Sequence, residues 1–293
     1  MRTLTIVEAG PLTTVQDTGR PGWAHLGVPR AGALDRPAAD LANRLSGNDV
    51  SAAVLEATLG GVSFTVSDTT TVAVTGAEAV VTVDGRAVPW AEPVAVRAGQ
   101  QVRVGRATRG VRSYVAVAGG LEAPVVLGSR STDTLAYVGP GVLRDGDRVP
   151  LGAPVGVPAA VDVGGVRRFP PPVALRVHVG PRADWFDEEA LATLTSTPYT
   201  VTDHSNRVGL RLDGPALTRR RDGELASEGI VLGAVQVPPS GMPLVFLNDH
   251  PTTGGYPVVG VVDPADLWQC AQLRPGEQLR FTLAAAPGPD PRP

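Results

Sequence analysis

The sequence predicts a mainly β protein, built as barrels or sandwiches with a few short helices, on three observations. Valine-rich runs of strand length recur along the chain, among them "QQVRVG", "RSYVAVAGG", "ALRVHVG", "PLVFL" and "QLRFTL". Glycine (35) and proline (28) are both abundant and punctuate those runs as turns do. Helical periodicity is confined to a few segments. Regular strand spacing of this kind favours barrels or sandwiches over a doubly wound sheet.

Taken in chain order, the first helix is expected in "DRPAADLANRLSG". Asp35 is placed to cap it, Pro37 sits in its first turn, and Gly47 stands at its exit. "TTTVAVTGAEAVVTVDGRAVPW" reads as two strands joined by a turn at Asp84-Gly85. The segment from Leu151 to Pro172 is poor in periodicity and rich in proline and glycine. It divides an N-terminal β domain, residues 1–155, from a C-terminal one, residues 173–285, with a linker over 156–172 and a disordered tail over 286–293. "RADWFDEEALATL" is the second helical segment. A short internal echo joins the two halves: "RAGQQVRVG" (97–105) resembles "RPGEQLRFT" (274–282), each a turn glycine followed by a strand.

Composition excludes several functions. The net charge is -3, which gives no general affinity for nucleic acid or an acidic membrane. Every basic residue is arginine. Without lysine this sequence has no P-loop lysine, no lysine Schiff base and no attachment point for biotin. The single cysteine, Cys270, makes no internal disulfide and fits a reducing compartment. The four histidines show no paired metal-ligand spacing, and "LGSRS" does not match a nucleophile elbow. With no leader-like start and no long apolar run, a cytoplasmic protein is expected.

What remains is chemistry by carboxylates, arginines, amides and backbone N–H groups. In "VQDTGRPGWAHLGVPRAGALD", Gln16, Asp17, Arg20 and Asp35 are threaded between glycines, as suits a loop shaped around a ligand. Surface turns would read the same way. "DHSNRVGLRLDGP" places Asn206 and Arg207 before a strand, where an arginine can hold a carboxylate or phosphate with two hydrogen bonds. "SEGIVLGAVQVPPSG" adds Glu228 and Gln236, the latter suited to orienting an amide and equally to a buried structural bond. "NDHPTTGGYP" carries Asp249, Thr252, Gly254, Gly255 and Tyr256 between two strands. Asp17, Asp35, Glu228 and Asp249 are the available general bases.

Five stretches together, "VQDTGRPGW…GVPRAGALD", "ANRLSGN", "SNRVGLRLDGP", "SEGIVLGAVQVPPSGMP" and "DHPTTGGYP", carry a resemblance. The sequence resembles the subunit-2 family of allophanate hydrolase-like proteins, also called the KipA or PxpC family after the C subunit of 5-oxoprolinase. That family is related to one half of the carboxyltransferase domain of biotin-dependent urea carboxylase. The resemblance implies two cyclophilin-like β-barrel domains and a subunit-1 (KipI or PxpB-like) partner. A PxpA-like third component is implied as well. It implies ATP as cosubstrate, with 5-oxoproline opened to glutamate, and a small lactam or amide substrate. Asp17, Asp35 and Asp249 are then expected to be catalytic, and Gln16, Arg20, Asn206, Arg207, Gln236, Thr252, Gly254, Gly255 and Tyr256 to bind substrate. No metal is implied, and biotin enters only on a separate carrier protein. Two other readings are a carboxyltransferase acting on a urea-like substrate and a non-catalytic antagonist of a kinase inhibitor. Where relatives have Arg, Gln and Lys in the last stretch, this chain has His250, Pro251 and Val258. If those groups bind an anion in relatives, the charge here is expected from Arg20, Arg30 or Arg207.

Overall fold

The computed structural model describes residues 1–158, 172–221, 223 and 225–284. By its contacts the chain divides into two compact units, Met1–Arg168 and Phe169–Pro293. The expected linker lies mostly outside the described residues, and the expected tail entirely so.

The first unit holds strands β1 (Thr3–Glu8), β2 (Leu12–Gln16), β3 (Val54–Thr58), β4 (Ser63–Val66), β5 (Thr70–Glu78), β6 (Val81–Val83), β7 (Arg86–Val88), β8 (Val94–Val96), β9 (Gln101–Val104), β10 (Arg109–Val117) and β11 (Arg148–Pro150), with helix α1 (Arg36–Leu45) between β2 and β3. They form a six-stranded sheet, β11-β1-β4-β9-β6-β7, and a five-stranded sheet, β2-β3-β10-β5-β8. The main core lies between them: Leu4, Ile6, Phe64 and Val102 from one sheet meet Val15, Leu55, Val72 and Val115 from the other. The five-stranded sheet is covered on its other face too, where Ala39 and Ala42 of α1 pack on Val54, Tyr114 and Ala116. That explains why "RSYVAV" shows no alternation: Val115 and Val117 face one core while Tyr114 and Ala116 face the other. The Asp84-Gly85 turn joins β6 to β7 with both residues at positive φ, 47° and 76°, the twist a two-residue hairpin needs.

The second unit holds β12 (Val173–Val179), helix α2 (Glu188–Ser196), β13 (Tyr199–Val201), β14 (Gly209–Asp213), β15 (Glu228–Gly229), β16 (Ala234–Gln236), β17 (Leu244–Phe246), β18 (Thr253–Gly254), β19 (Val258–Val262), the short helix α3 (Leu267–Cys270) and β20 (Gln278–Leu283). Seven of these strands close into a barrel, β12-β19-β16-β17-β14-β13-β20. Alternation points Val173, Leu175 and Val177 of β12, with Leu279 and Phe281 of β20, into the interior. The remaining pair, β15-β18, is a separate two-stranded ladder. The mainly β class therefore holds in both units. The closed barrel is realised in the second, while the first divides its strands between two sheets.

Both expected helices form, each capped by the aspartate before it. Asp35 accepts from Ala38 N at 3.0 Å and Asp187 from Ala190 N at 2.7 Å.

Candidate functional site

In the first unit, Gln16, Asp17 and Arg20 gather where the loop after β2 meets residues 126–132. The Gln16 carboxamide is wholly buried, its Nε2 donating to Thr14 Oγ1 (3.1 Å) and Thr132 O (3.0 Å) while Oε1 accepts from Gly32 N (3.1 Å). Asp17 accepts from Gly19 N (2.8 Å), Ser129 Oγ (2.6 Å), Ser131 Oγ (2.6 Å) and Arg130 N (2.6 Å). Four donors on one carboxylate clamp two loops together. A proton-abstracting role would require them to let go. Arg20, 1% exposed, donates to the carbonyls of Val126 (3.3 Å) and Ser131.

Asp35 stands apart from that cluster, at the start of α1. Besides capping the helix, its own N–H donates to Tyr114 Oη (2.7 Å), and the Tyr114 hydroxyl donates to Glu56 Oε2 (2.9 Å). Burial, and then the negative charges of Glu56 and Asp35, hold the Tyr114 phenol well above its ordinary pKa. Sequence reasoning does not single out Ser129, Ser131, Glu56 or Tyr114. Two serines spaced by one residue were the available signal, but their partner lies more than a hundred residues away, and only the fold supplies it.

In the second unit, Arg207 and Asp249 form a fork-to-fork ion pair: Nε to Oδ2 and Nη2 to Oδ1, both 2.9 Å, with the side chains 1% and 0% exposed. The backbone repeats the link, Asp249 N donating to Arg207 O at 3.1 Å. Asn206 is spent on its own turn, Oδ1 accepting from Val208 N (2.8 Å) and Gly209 N (3.3 Å). Thr252 takes part through its carbonyl, which accepts from Ile230 N at 2.9 Å.

The remaining predicted residues do come together. Gln236, at the end of β16, donates from Nε2 to Tyr256 O at 3.1 Å, and no donor among the described residues reaches its Oε1. A Cβ on Gly254 would lie 3.0 Å from that Nε2 and 2.5 Å from Ile230 Cδ1, so the chain passes the carboxamide at a distance only glycine allows. The Arg219 guanidinium lies 5.7 Å from the centroid of the Tyr256 ring, a cation–π contact the sequence did not reveal. The β15-β18 ladder pairs Glu228 with Gly254 and so fixes this loop. Glu228 in turn is held by Arg182 at 2.7 and 2.8 Å, and that hydrogen bond keeps its carboxyl below the usual range. Among the described residues no group of three or more His, Cys, Asp or Glu could hold a metal, and no helix is long and apolar enough to cross a membrane.

The family model described as carboxyltransferase domain, subdomain A and B, matches residues 26–283. The chain belongs to this family. It is 39% identical over 281 residues to the C subunit of the Escherichia coli 5-oxoprolinase, covering 95% of this chain and 90% of that one. The corresponding 5-oxoprolinase protein of Haemophilus influenzae is 32% identical, with 94% and 89% covered. The urea amidolyase of Saccharomyces cerevisiae is 32% identical over 93% of this chain but only 16% of its own length. Among solved structures, the crystal structure of TTHA0988 superposes with a TM-score of 0.86 at 39% identity, covering 96% of this chain and 55% of that one. The Kluyveromyces lactis urea amidolyase gives 0.90 at 30% identity, covering 97% of this chain and 19% of its own. The carboxyltransferase-domain chain thus spans about half of one solved relative and a small part of the other. The two bacterial relatives are named as one lettered subunit of 5-oxoprolinase, which implies an enzyme that works with other subunits.

Proposed function

We propose that this chain is a subunit of an ATP-dependent 5-oxoprolinase that opens 5-oxoproline to L-glutamate with a subunit-1 (PxpB/KipI-like) partner. A PxpA-like third protein completes the complex. The observation that carries this reading is the match to the Escherichia coli 5-oxoprolinase protein, which runs through 95% of this chain and 90% of that one. The urea amidolyases embed the same region in a much longer chain.

The geometry supports a lactam as substrate. Gln236 has an amide oxygen with no protein donor among the described residues, and it is held still by its Nε2 bond to Tyr256 O. That oxygen accepts the ring N–H, and Gly254 lets the chain pass close enough to the carboxamide to keep it in place. Asp17, Asp35 and Asp249 act as positioning residues in this reading, since each holds backbone or a guanidinium rather than an open space. Ring opening breaks the lactam C–N bond; water adds its oxygen to the acyl carbon to form the new carboxylate, and a proton from that water passes to the leaving nitrogen, which becomes the free amine. ATP supplies the driving force, and no phosphate-loop motif in this chain claims it.

The test is glutamate formation from 5-oxoproline by the assembled complex, with and without ATP. ATP-dependent glutamate that vanishes when this chain is omitted is the expected result. Gln236→Ala should lower kcat/KM about tenfold to a hundredfold, the loss of one buried hydrogen bond to substrate. A stable complex without turnover would sink the reading. The likeness to the Kluyveromyces lactis urea carboxylase, with a TM-score of 0.90, then favours carboxyl transfer from a separate biotin carrier to a urea-like acceptor.

A further inference from the structure

Two loops of the first unit hold apolar side chains out in solvent. One runs from Pro21 to Pro29 and turns through a single 3-10 segment, Ala24–Leu26, none of whose residues is buried; Leu26 is 60% exposed. Within it Trp23 stacks on His25, ring centroids 6.0 Å apart. The other runs from Pro124 to Leu143 and exposes Val125, Leu135, Tyr137 and Val142, with Tyr137 at 86%. Residues 21–29, 124–128 and 134–143 include no Asp, Glu, Lys or Arg, although such residues make up 19% of the chain. Single apolar side chains at a surface are ordinary. An uncharged face that carries a tryptophan and a tyrosine has the composition of an interface core.

Both loops spring from one anchor. Arg20 N donates to Arg30 O at 2.7 Å, which closes the first loop on itself. The buried Arg20 guanidinium donates to the carbonyls of Val126 and Ser131 in the second, and a Cβ on Gly139 would lie 2.7 Å from its Nη2. Asp17 ties the same segments together through Gly19 N, Ser129 Oγ, Arg130 N and Ser131 Oγ. The second loop is also braced from within, Asp133 Oδ1 accepting from Leu135 N (2.7 Å) and Ala136 N (2.8 Å). Leu127 and Tyr137 stand at φ 52° and 58°, a region that bulky residues rarely enter unless their surroundings impose it. The fold thus fixes these side chains outward, and the clamps of Asp17 and Arg20 serve to present them.

We infer that this face of the first unit, built on Trp23, Leu26, Val125, Leu135, Tyr137 and Val142, docks the subunit-1 protein of the complex. The choice of occupant rests on the function proposed above. The two bacterial relatives are lettered subunits, and the solved relative TTHA0988 continues well beyond the part this chain matches, which is 55% of it. Further polypeptide thus accompanies this fold in each case. The surface that fits is itself uncharged, with a recess for the Tyr137 ring and apolar side chains to meet Leu26 and Val125. A lipid surface fits worse, because an interfacial segment draws on a surplus of basic residues and the chain's net charge is -3.

The test measures, by calorimetry, association of the full-length chain with the purified subunit-1 (PxpB/KipI-like) protein encoded by the same genome. Leu26→Glu and Tyr137→Asp each place a charge in the face, and each should weaken binding about 30-fold or more, as for loss of an interface anchor. Aspartate suits position 137 because it tolerates the left-handed region. Neither variant should move the urea midpoint of the chain alone, since both side chains stand in solvent. Val80→Glu alters a valine that is 62% exposed and outside both loops, and should bind like the parent. Parent-like binding by Leu26→Glu and Tyr137→Asp, or an equal loss in Val80→Glu, would overturn the proposal. So would a parent chain that does not bind the subunit-1 protein, that forms a dimer abolished by Leu26→Glu, or that sediments with anionic vesicles through this face. Binding that depends on the face, without glutamate formation from 5-oxoproline, would uphold the docking surface and refute the oxoprolinase reading.

Discussion

Two arginine–carboxylate forks in the second unit share almost the same geometry and should differ greatly in what they contribute. Arg207–Asp249 closes at 2.9 and 2.9 Å, Arg182–Glu228 at 2.7 and 2.8 Å. Distance alone ranks the second pair higher. Burial reverses the order, since the side chains are 1% and 0% exposed in the first pair and 40% and 32% in the second. At the surface, water screens the attraction and a pair of this kind contributes about 0–1 kcal/mol. In the interior, removing one partner strands a charge with its desolvation already incurred, at about 3–5 kcal/mol. Asp249→Asn keeps the shape and removes the charge, so it should lower unfolding stability by about 3–5 kcal/mol. Glu228→Gln should cost less than about 1 kcal/mol. Urea titration followed by circular dichroism measures both, with the midpoint reporting stability provided the slope is unchanged. Arg207→Met with Asp249→Leu should recover much of the loss, because the double variant strands no charge. Equal costs for the two single variants, or a double variant worse than Asp249→Asn, would refute the argument that burial decides.

Two further outcomes follow from local geometry. Gly254→Ala puts a methyl group 2.5 Å from Ile230 Cδ1 and 3.0 Å from Gln236 Nε2, so it should cost about 1–3 kcal/mol on urea titration and lower turnover by displacing the carboxamide. Tyr199 is buried and its phenol is pushed up to about 12 from 10.0. As pH rises through that window the unfolded chain has lost a proton that the fold retains, so stability falls; Tyr199→Phe should flatten this alkaline loss in melts recorded across the range.

Much of the fold was legible because its signals are local. The Asp35 cap, the Asp84-Gly85 hairpin and the strand runs each depend on residues within a few positions of one another. The weak internal echo also proves structural. In both copies a turn closes from the fourth residue to the first: Gln100 N donates to Arg97 O, and Glu277 N to Arg274 O. In both, the fourth side chain returns the bond, Gln100 Oε1 accepting from Arg97 N and Glu277 Oε2 from Arg274 N, each at 2.8 Å. Whether strands close into one barrel or divide between two sheets was not legible. That depends on which edges pair, and edge pairing is a long-range property that strand periodicity does not encode.

The site was harder to read because glycine beside polar residues has two causes with one appearance. Backbone can come close to a ligand, or to the protein's own backbone. At Gly19 the cause is internal: a Cβ would strike the carbonyls of Arg30 and Ala31 at 2.5 and 2.6 Å. At Gly254 the neighbours are again protein atoms, but one of them is the carboxamide whose oxygen has no donor among the described residues. The same distinction sorts the charges. Asp17, Asp249, Arg20 and Arg207 look like the reactive groups in the sequence, yet each is taken up by hydrogen bonds that hold loops in place. Gln236, whose oxygen no donor among the described residues reaches, is the contrasting case. A group held in place but left uncompensated is the better sign of a ligand than a group that is merely polar, and only coordinates tell the two apart.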